Sequence, residues 1–394
     1  MSRFHSYISS ASKIISTYGP GKPLAIHIRS FFAADKKFGS KDRKAIASLC
    51  YYYFRTGRAF KKNTIEEKIL FGLFLCENKS NELLRFFRPD LDENTALTLT
   101  EKISLLKMAV INIFPFVNEL GEDIDRHFYT LSFLTQPKIF LRIRPGKKKT
   151  VLDKLKDASI NFELLSDECL KLENNIAADK ILLFNKEVVV QDMNSQKVLN
   201  YLEKKPNFFT VTGKITSWDC CAASGGKSIL LYDKLKGNIE LTVSDIRENI
   251  LLNLRKRLQQ AGVNISNNFI TDLSASTGLP AEKKFSIIIC DAPCTGSGTW
   301  SRNPEQLYFF DKKMIETYAG RQQSIVSNII PHLKKGGLFF YITCSVFKRE
   351  NEEVTGFIKE KFSAGNNLQL LQMDYLKGYE NAADTMFVAV FQLH

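Results

Sequence analysis

The stretch FSIIICDAPCTGSG, residues 285–298, joins an apolar run to a loop that carries a thiol. The run Phe285–Cys290 has the length of a buried strand, and Cys294 follows shortly after the run ends. A second apolar run, Leu338–Thr343, is followed directly by Cys344. Because continuous apolar strands of this length are typical of parallel sheets, both thiols are predicted at the carboxyl ends of strands in one sheet.

Strand-like and helix-like segments alternate around that stretch. Predicted strands cover residues 215–220, 239–243, 268–270, 285–290 and 338–343, and predicted helices cover residues 227–236, 248–261 and 314–333. Strands that alternate with helices indicate a parallel sheet with helices on both faces. The fold class predicted for residues 207–394 is therefore α/β.

The earlier part of the chain shows two other patterns. Residues 1–135 carry apolar side chains at helical spacing, which predicts an all-α domain with helices at 6–18, 24–32, 40–56, 65–75 and 103–120. After Gln136-Pro137 short strand-like pieces surround one helix, so residues 136–206 are predicted to form a small α/β module. The chain is thus predicted to hold three domains.

Charge and composition narrow the class of protein. Residues 1–150 hold 26 Lys/Arg against 14 Asp/Glu and the remainder 29 against 28, so the first third carries nearly all of the net charge of +13. This asymmetry favours a module that binds a polyanion, although a basic surface that only aids solubility fits as well. No apolar run approaches the roughly 18 residues of a membrane span. The amino terminus lacks the apolar core of a signal peptide. A cytoplasmic protein without a membrane partner is predicted.

The eight cysteines and five histidines show no spacing typical of a zinc site. The sequence has no CxxC pair and its histidines are scattered, so no metal ion is predicted. In a reducing compartment most of these thiols are expected to be inert buried residues. Cys220 and Cys221 in particular are predicted to pack rather than to react. A thiol that follows a strand in a loop needs a separate reason.

A glycine-containing loop and acidic residues follow other strands of the predicted sheet. The loop CAASGGK, Cys221–Lys227, matches neither GxGxxG nor GxxxxGK[ST], which disfavours a dinucleotide or a nucleoside triphosphate. Asp245 ends the second strand, where an acidic side chain suits a ribose diol. A ligand with an adenosine and no pyrophosphate fits both features. S-adenosyl-L-methionine (SAM) is such a ligand.

Four motifs, in this order, closely resemble the motif series of the RsmB/Sun-like family of RNA cytosine-carbon-5 methyltransferases: DCCAASGGK (219–227), SDIREN (244–249), DAPCTGSGTWSRNPE (291–305) and TCSVFKREN (343–351). Val190–Gln196 is similar to the family's segment before the catalytic domain. Residues 39–55 resemble a helix of the NusB-like amino-terminal domain of its ribosomal RNA members. The resemblance thus covers nearly the whole chain, and it departs at Ser224, where the family usually has proline.

The resemblance implies a fold and an activity. The fold would be a Rossmann-like SAM-dependent methyltransferase domain (207–394), preceded by a small α/β, RRM-like module (136–206) and an all-α NusB-like RNA-binding domain (1–135). The activity would be methyl transfer from SAM to carbon-5 of a cytosine in RNA, above all ribosomal RNA, by a monomer. A base inside a helix is shielded, so the target would be single-stranded or flipped out.

The two loop thiols have different tasks in such a reaction. Carbon-5 of cytosine is a poor nucleophile, and a thiolate that adds to carbon-6 creates an enamine whose carbon-5 can attack a methyl group. By resemblance, Cys344 is this nucleophile, and Cys294 aids breakdown of the adduct, either as the base or by positioning a water. Asp291 would bond the cytosine edge around nitrogen 3, and Lys227 would orient the base or the Asp291 side chain.

The remaining site residues are expected to bind the cofactor. The first loop would surround the methionine end of SAM, Asp245 would bind the ribose hydroxyls, and Asp272 would lie near the adenine. The expected cofactor-binding residues are Cys221, Ala222, Ala223, Ser224, Gly225, Gly226, Lys227, Asp245, Asp272 and Asp291.

Two other functions fit the sequence less well. An RNA-binding ribosome-assembly factor could keep the fold without turnover, but the filled thiol, loop and acid positions argue against it. Methylation of an exocyclic amine would favour an NPPY-like motif where DAPC stands at 291–294. Methylation of carbon-5 is therefore the favoured hypothesis.

Overall fold

The computed structural model describes residues 2–35, 37–174, 176–205 and 213–394. The described residues form two compact units. One runs up to Leu120 and adds Asp125–Pro137 and Thr299–Lys312, and the other holds Gly121–Ile124, Lys138–Gly298 and Lys313–His394. The predicted domain boundary at residues 206 and 207 lies outside the described residues. The division into three domains therefore stays a prediction.

The first unit is helical. Its helices are α1 (Arg3–Thr17), α2 (Leu24–Ala34), α3 (Ser40–Arg55), α4 (Ile65–Cys76), α5 (Glu82–Phe87), α6 (Pro89–Asp92), α7 (Leu99–Leu105), α8 (Arg126–Ser132) and, from the later segment, α12 (Glu305–Phe309). α1 buries Ile8, Ala11 and Ile15, which recur at three- and four-residue spacing as an amphipathic helix requires. Gly72 of α4 lets α3 approach closely, because a Cβ there would lie 2.2 Å from the carbonyl oxygen of Tyr52.

One predicted helix of this unit is wrong. The helix expected over residues 103–120 ends at Leu105, and two short 3-10 turns, Val110–Asn112 and Val117–Glu119, follow it. Lys107 adopts a left-handed backbone conformation with φ of 49°, which stops the helix. Pro115 then prevents a restart across this segment because it lacks a backbone N–H donor.

Arginines of the helical unit hold the segment Thr299–Lys312, which was predicted to belong to the catalytic domain. Arg55 is buried, and its Nη1 donates 3.0 Å hydrogen bonds to the carbonyl of Ser301 and to two carbonyls near the end of α8. Arg58 donates to the carbonyls of Leu307 and Phe310. Such contacts depend on tertiary structure. The periodicity of apolar residues in the sequence therefore could not predict that this segment belongs to the helical unit.

The second unit begins with a small antiparallel sheet. Its strands are β1 (Ile139–Ile143), β2 (Phe162–Leu164), β3 (Cys169–Leu172) and β4 (Val188–Val190), in the order β2-β3-β1-β4, and α9 (Lys148–Asp157) covers one face. Leu141 and Ile143 of β1 pack with Val151 and Leu155 of α9 in one buried cluster. β1, α9, β3 and β4 match the strand and helix pattern predicted for this stretch, whereas β2 was not predicted.

A larger, seven-stranded sheet follows in the same unit. It contains β5 (Ile215–Asp219), β6 (Ile239–Asp245), β7 (Asn267–Ile270), β8 (Phe285–Asp291), β9 (Leu333–Thr343), β10 (Leu368–Leu376) and β11 (Met386–Leu393), with α10 (Gly226–Lys234), α11 (Glu248–Gln260), α13 (Lys313–Ile329) and α14 (Glu352–Asn366). The order is β10-β11-β9-β8-β5-β6-β7. β5 to β9 are parallel, and β11 runs antiparallel to both of its neighbours. The α/β prediction is confirmed.

The strand order creates a place for a ligand. β5 pairs with β6 on one side and with β8 on the other, so the direction of strand progression reverses at β5. In open sheets of this kind, ligands bind in the crevice beyond the carboxyl ends of the strands at the reversal. None of the helices among the described residues is both long and apolar enough to cross a membrane.

A buried ion-pair cluster joins the small sheet to α10. Arg142 Nη1 of β1 lies 2.7 Å from Asp233 Oδ2, and Arg144 Nη2 lies 2.6 Å from Asp233 Oδ1. The side chains of Arg142 and Asp233 are only 1% and 6% exposed, so the three charges depend on one another. This cluster fixes β1 against the helix that follows the first loop.

Candidate active site

A cavity of about 340 Å³ opens at the carboxyl ends of β5, β6, β7 and β8. Its size is that of a small-molecule site. Six of the residues predicted from sequence line it: Cys221, Ala223, Asp245, Asp272, Asp291 and Cys294. The other predicted residues support this wall or lie in the loops beside it.

The first loop is a tight turn that is bonded to β6. Gly225 adopts φ of 81°, a conformation that favours glycine, and its N–H donates to the carbonyl of Ala222 at 2.8 Å. The N–H of Ala222 donates to the carbonyl of Ser244 at 2.9 Å. The N–H of Ala223 donates to Asp245 Oδ2 at 3.0 Å. The loop is thereby held against the end of the neighbouring strand.

The middle of the loop is held by α11. Arg257 Nη1 donates to the carbonyl oxygen and the Oγ of Ser224, at 3.1 and 2.9 Å. The Ser224 side chain thus bonds to a protein partner, and its assignment as a cofactor-binding residue stays a prediction.

Asp245 is almost fully buried and is bonded to a residue that was not predicted. Its Oδ1 accepts from the Arg247 backbone N–H at 3.0 Å and from Arg247 Nε at 2.9 Å. Burial alone would raise the pKa of Asp245, but the hydrogen bonds from Arg247 and Ala223 hold that pKa below its usual range. Asp245 therefore presents a carboxylate to the cavity. Arg247 is part of SDIREN, so its closeness in sequence was an available signal.

α13 forms another wall of the cavity. Tyr318, Arg321 and Ile325 line it and share one helix face because of their three- and four-residue spacing. Arg321 forms an ion pair of 3.6 Å with Asp272, whose Oδ1 also accepts from the N–H and Oγ of Ser274. The spacing on α13 was visible in the sequence, but nothing there indicated which face meets the cavity.

Lys227 and Asp291 form an ion pair between the first loop and the DAPC loop. Lys227 lies in the first turn of α10, and its Nζ is 2.6 Å from Oδ2 of Asp291, the last residue of β8. Burial opposes the charge on Lys227, but the Asp291 carboxylate outweighs it and raises the pKa of Lys227. Lys227 and Asp291, which are both predicted to hold the cytosine base, are therefore in direct contact.

The two loop thiols meet. Cys294 follows β8 and Cys344 follows β9, and these strands are parallel neighbours. The Sγ atoms of the two residues are 3.4 Å apart. The hydrogen bond to Cys344, together with burial, raises the pKa of Cys294 well above its ordinary value. Cys294 is therefore held in its protonated form more strongly than an ordinary thiol.

A buried carboxyl group, missed at the sequence level, ties the two thiol loops together. Glu350 accepts hydrogen bonds from the hydroxyls of Thr295 and Ser345, from the Thr295 N–H at 2.9 Å and from Gln322 Nε2 at 3.0 Å. Burial raises the pKa of Glu350, although these donors favour its charged form. Because one partner follows Cys294 and another follows Cys344, Glu350 positions both thiols.

Three further thiols cluster where the first loop begins. The Sγ atoms of Cys220, Cys221 and Cys290 are all within 4.8 Å of one another. Hydrogen bonds from Cys220 and Cys290 lower the pKa of Cys221. The packing role predicted for Cys220 and Cys221 agrees with the complete burial of Cys220, whereas Cys221 is half-buried and lines the cavity, and the approach of Cys290 was not predicted.

The sheet order, its reversal at β5 and the cavity with acids at the strand ends define the class of Rossmann-like methyltransferases, whose cofactor is SAM. Residues 211–391 match the family described as 16S rRNA methyltransferase RsmB/F. This part of the chain, just under half of its length, is similar to the RsmB/F methyltransferase family. The resemblance to RsmB/Sun-like proteins and the prediction of SAM as cofactor are confirmed.

Curated proteins similar to this chain are named ribosomal RNA small subunit methyltransferases. The chain is 30% identical over 232 residues to the probable ribosomal RNA small subunit methyltransferase B of Bacillus subtilis, covering 58% of this chain and 50% of that protein. It is 26% identical over 171 residues to ribosomal RNA small subunit methyltransferase F of Psychromonas ingrahamii, covering 43% and 35%. The match thus spans half or less of the length of these relatives.

Solved structures share the fold. The crystal structure of PH0851 matches with a TM-score of 0.71 and 17% identity, covering 100% of this chain and 99% of that chain. The structure of NSun6 from Pyrococcus horikoshii with SFG matches with a TM-score of 0.54 and 15% identity, covering 65% and 91%. At these identities the comparison concerns the fold alone, and it agrees with the predicted Rossmann-like architecture.

Proposed function

We propose that this protein transfers a methyl group from SAM to carbon-5 of a cytosine in ribosomal RNA, through a covalent bond between Cys344 and carbon-6. The observation that carries the proposal is the 3.4 Å approach of the Cys294 and Cys344 sulfur atoms, next to a cavity lined by Asp291 and Cys294. Methylation of an exocyclic amine needs no thiol. Methylation of carbon-5 can use two, one that adds to carbon-6 and one that helps to reverse that addition. The names of the RsmB/F relatives support ribosomal RNA as the substrate class.

The residues around the cavity fit SAM. Asp245 offers a carboxylate for the ribose hydroxyls. Asp272 follows β7, the neighbour of β6, lines the same cavity and would lie near the adenine. Among the described side chains, Arg321 Nε is buried without a hydrogen-bond partner, and Arg321 lines the cavity, so a polar ligand can satisfy this donor. When bound, SAM supplies the electrophilic methyl group.

Addition of Cys344 is the first task of the protein. The Cys344 thiolate forms a bond to carbon-6, the electron pair of the double bond moves into the ring, and carbon-5 becomes nucleophilic. Because the pKa of Cys294 is raised, its S–H group can donate a hydrogen bond toward Cys344 Sγ, and Cys344 then serves as the attacking sulfur. The Lys227–Asp291 pair offers a donor and an acceptor to the cytosine edge that bears nitrogen 3, where negative charge develops.

Release of the product is the task proposed for Cys294. The proton on carbon-5 must leave, and the bond from carbon-6 to Cys344 must break, with its electron pair returning to Cys344 sulfur. The hydrogen bond to Cys344 is the largest cause of the raised pKa of Cys294. Conversion of Cys344 to a thioether weakens that bond, so Cys294 becomes easier to deprotonate once the adduct has formed. It then acts as the base or directs a water that does.

We further propose that the helical domain, residues 1–135, contacts the RNA backbone around the target. The basic excess of the first third of the chain supports this assignment, because Lys and Arg neutralise phosphates. A monomer in the cytoplasm is the state in which we expect the protein to act.

The test is direct detection of the product. Small-subunit ribosomal RNA from cells with and without the gene should differ at a cytosine protected from bisulfite conversion, and purified wild-type protein should restore that mark in the deficient RNA with labelled SAM. The variant Lys256→Ala, changed at an exposed position of α11, serves as a control and should restore the mark as the wild type does. Identical bisulfite patterns together with no label incorporation would reject carbon-5 methylation and favour an assembly factor without turnover.

A further inference from the structure

The sulfur atoms of Cys220, Cys221 and Cys290 form a cluster that has no chemical task in the proposed methyl transfer. Cys220 and Cys221 follow β5, and Cys290 is the penultimate residue of β8. The two strands are hydrogen-bonded neighbours, and the N–H of Cys220 donates to the carbonyl of Ile289 at 2.9 Å. This register places Cys220 beside Cys290 although they are far apart in sequence. All three Sγ atoms lie within 4.8 Å of one another.

The cluster is closed toward the sheet and open toward the cavity. Cys220 and Cys290 are fully buried, whereas Cys221 is half-buried. Cys220 and Cys221 both line the cavity at the strand ends. A small ion that enters the cavity can therefore approach the cluster from the side of Cys220 and Cys221.

We propose that these three sulfur atoms bind a thiophilic divalent ion of the Zn²⁺ and Cd²⁺ class. A Zn–S bond is about 2.3 Å long, so an ion centred among three sulfurs spaces them roughly 4 Å apart, which small side-chain rotations can achieve from the present separations. Binding displaces the thiol protons to solvent, and the three thiolates and the ion together carry one net negative charge. The fourth position of the ion faces the cavity and takes a water.

Binding of the ion has a consequence for the cofactor. The ion and its water would fill the part of the cavity next to Cys220 and Cys221, close to the first loop. The ion and SAM therefore compete for this protein. This consequence rests on the cofactor site proposed above, whereas the binding of the ion does not.

The spacing of cysteines along the sequence does not reveal this site. Two of its ligands are adjacent residues, and the third comes from a different strand, so no CxxC pair results. The expectation that no metal ion binds followed from spacing along the chain alone. The parallel pairing of β5 with β8 brings Cys290 close to Cys220 and Cys221.

The test uses the full-length protein and Cd²⁺ as the probe, followed by its thiolate-to-metal absorbance in the ultraviolet. Cys294→Ser/Cys344→Ser is the background, because those two sulfurs also lie close enough to share an ion. In that background we expect one Cd²⁺ per chain. Cys290→Ala and Cys220→Ala should each weaken binding by more than the roughly 10- to 100-fold that loss of an outer-shell partner costs. Cys169→Ala, a buried thiol of the small sheet, should leave it unchanged.

Folding of each variant is checked by circular dichroism, and the two separate alanine variants keep the test informative if one is unstable. Equal Cd²⁺ affinity in Cys290→Ala, Cys220→Ala and the background would overturn the site. Loss of all Cd²⁺ binding in the Cys294→Ser/Cys344→Ser background would assign the ion to those two thiols and would also overturn the proposed site.

Competition between the ion and SAM is measured as the SAM affinity of the Cys294→Ser/Cys344→Ser protein with and without Cd²⁺. An unchanged affinity would overturn exclusion of the cofactor while leaving the proposed methyl transfer intact.

Discussion

Lys227 Nζ lies 2.6 Å from Asp291 Oδ2, and this contact joins the loop after β5 to the loop after β8. Both side chains are largely buried, at 11% and 27% exposure. The first loop belongs to the proposed cofactor site and the second to the proposed cytosine site. The ion pair therefore fixes the two sites relative to each other.

Lys227→Ala should slow methyl transfer strongly with less effect on SAM binding. The substitution leaves the Asp291 carboxylate without its cation and removes the donor that faces charge developing on the ring. Loss of one such preorganised donor costs roughly 10²- to 10³-fold in rate. Single-turnover transfer of labelled methyl groups measures it, with Lys256→Ala as the matched control. A Lys227→Ala rate within a few-fold of the wild type would remove Lys227 from the reaction.

Asp245→Ala should weaken SAM binding. Its carboxylate is charged, since hydrogen bonds from Arg247 and Ala223 lower its pKa, and hydrogen bonds to a charged group contribute about 1.5–3 kcal/mol each. The dissociation constant should rise roughly 10- to 100-fold. Isothermal titration calorimetry measures this, with the exposed Asp157→Ala as control. Equal SAM affinity in both variants would place the ribose elsewhere.

Asp233→Ala should destabilise the protein without a direct effect on the chemistry. It leaves Arg142, 1% exposed, and Arg144 without their common partner. Breaking a buried pair from one side costs about 3–5 kcal/mol. Thermal unfolding should show a lower midpoint than that of Asp153→Ala, a control at an exposed position of α9. Equal midpoints would indicate that the cluster makes no net contribution to stability.

Glu350→Gln should change how stability depends on pH. Burial raises the pKa of Glu350 above its ordinary value of 4.5, so the native state binds this proton more tightly than the unfolded state. The stability contributed by the proton is complete below about pH 4.5 and is lost as pH rises through the native pKa. The difference in unfolding free energy between wild type and variant should therefore favour the wild type most at low pH. The exposed Glu380→Gln should show no such trend, and a parallel pH profile for Glu350→Gln would refute the assignment.

The sequence predicted those features that local patterns encode. The parallel strands were visible as apolar runs, and the loops that carry Cys294, Cys344 and Asp245 could be placed because parallel strands end at one edge of the sheet. Features set by contacts between distant residues were not predictable. Arg321 and Glu350 reach the site through the packing of α13 and of the turn after β9, and the sequence does not indicate which face of α13 or which side of that turn meets the site.

The last elements of the sheet were missed for a related reason. β10 and β11 form an antiparallel pair at the edge, and β11 also pairs with β9. Alternation of apolar and polar residues is weak in β11, because most of its side chains are buried on both faces. The three-thiol cluster likewise required strand register, which brings Cys290 next to Cys220.

The most direct test of the proposed chemistry is detection of the covalent adduct on a denaturing gel with labelled small-subunit RNA and SAM. Cys294→Ser should still add to carbon-6 and transfer the methyl group but fail to release the product, which gives a retarded, protease-sensitive RNA band. Cys344→Ser and the double variant should give none, because a hydroxyl is almost never ionised at neutral pH, and Cys344→Ser should not methylate. Cys169→Ser serves as the thiol control and should behave as the wild type. An adduct in Cys344→Ser but not in Cys294→Ser would reverse the roles of the two thiols, and full methylation by both single variants would contradict covalent catalysis itself.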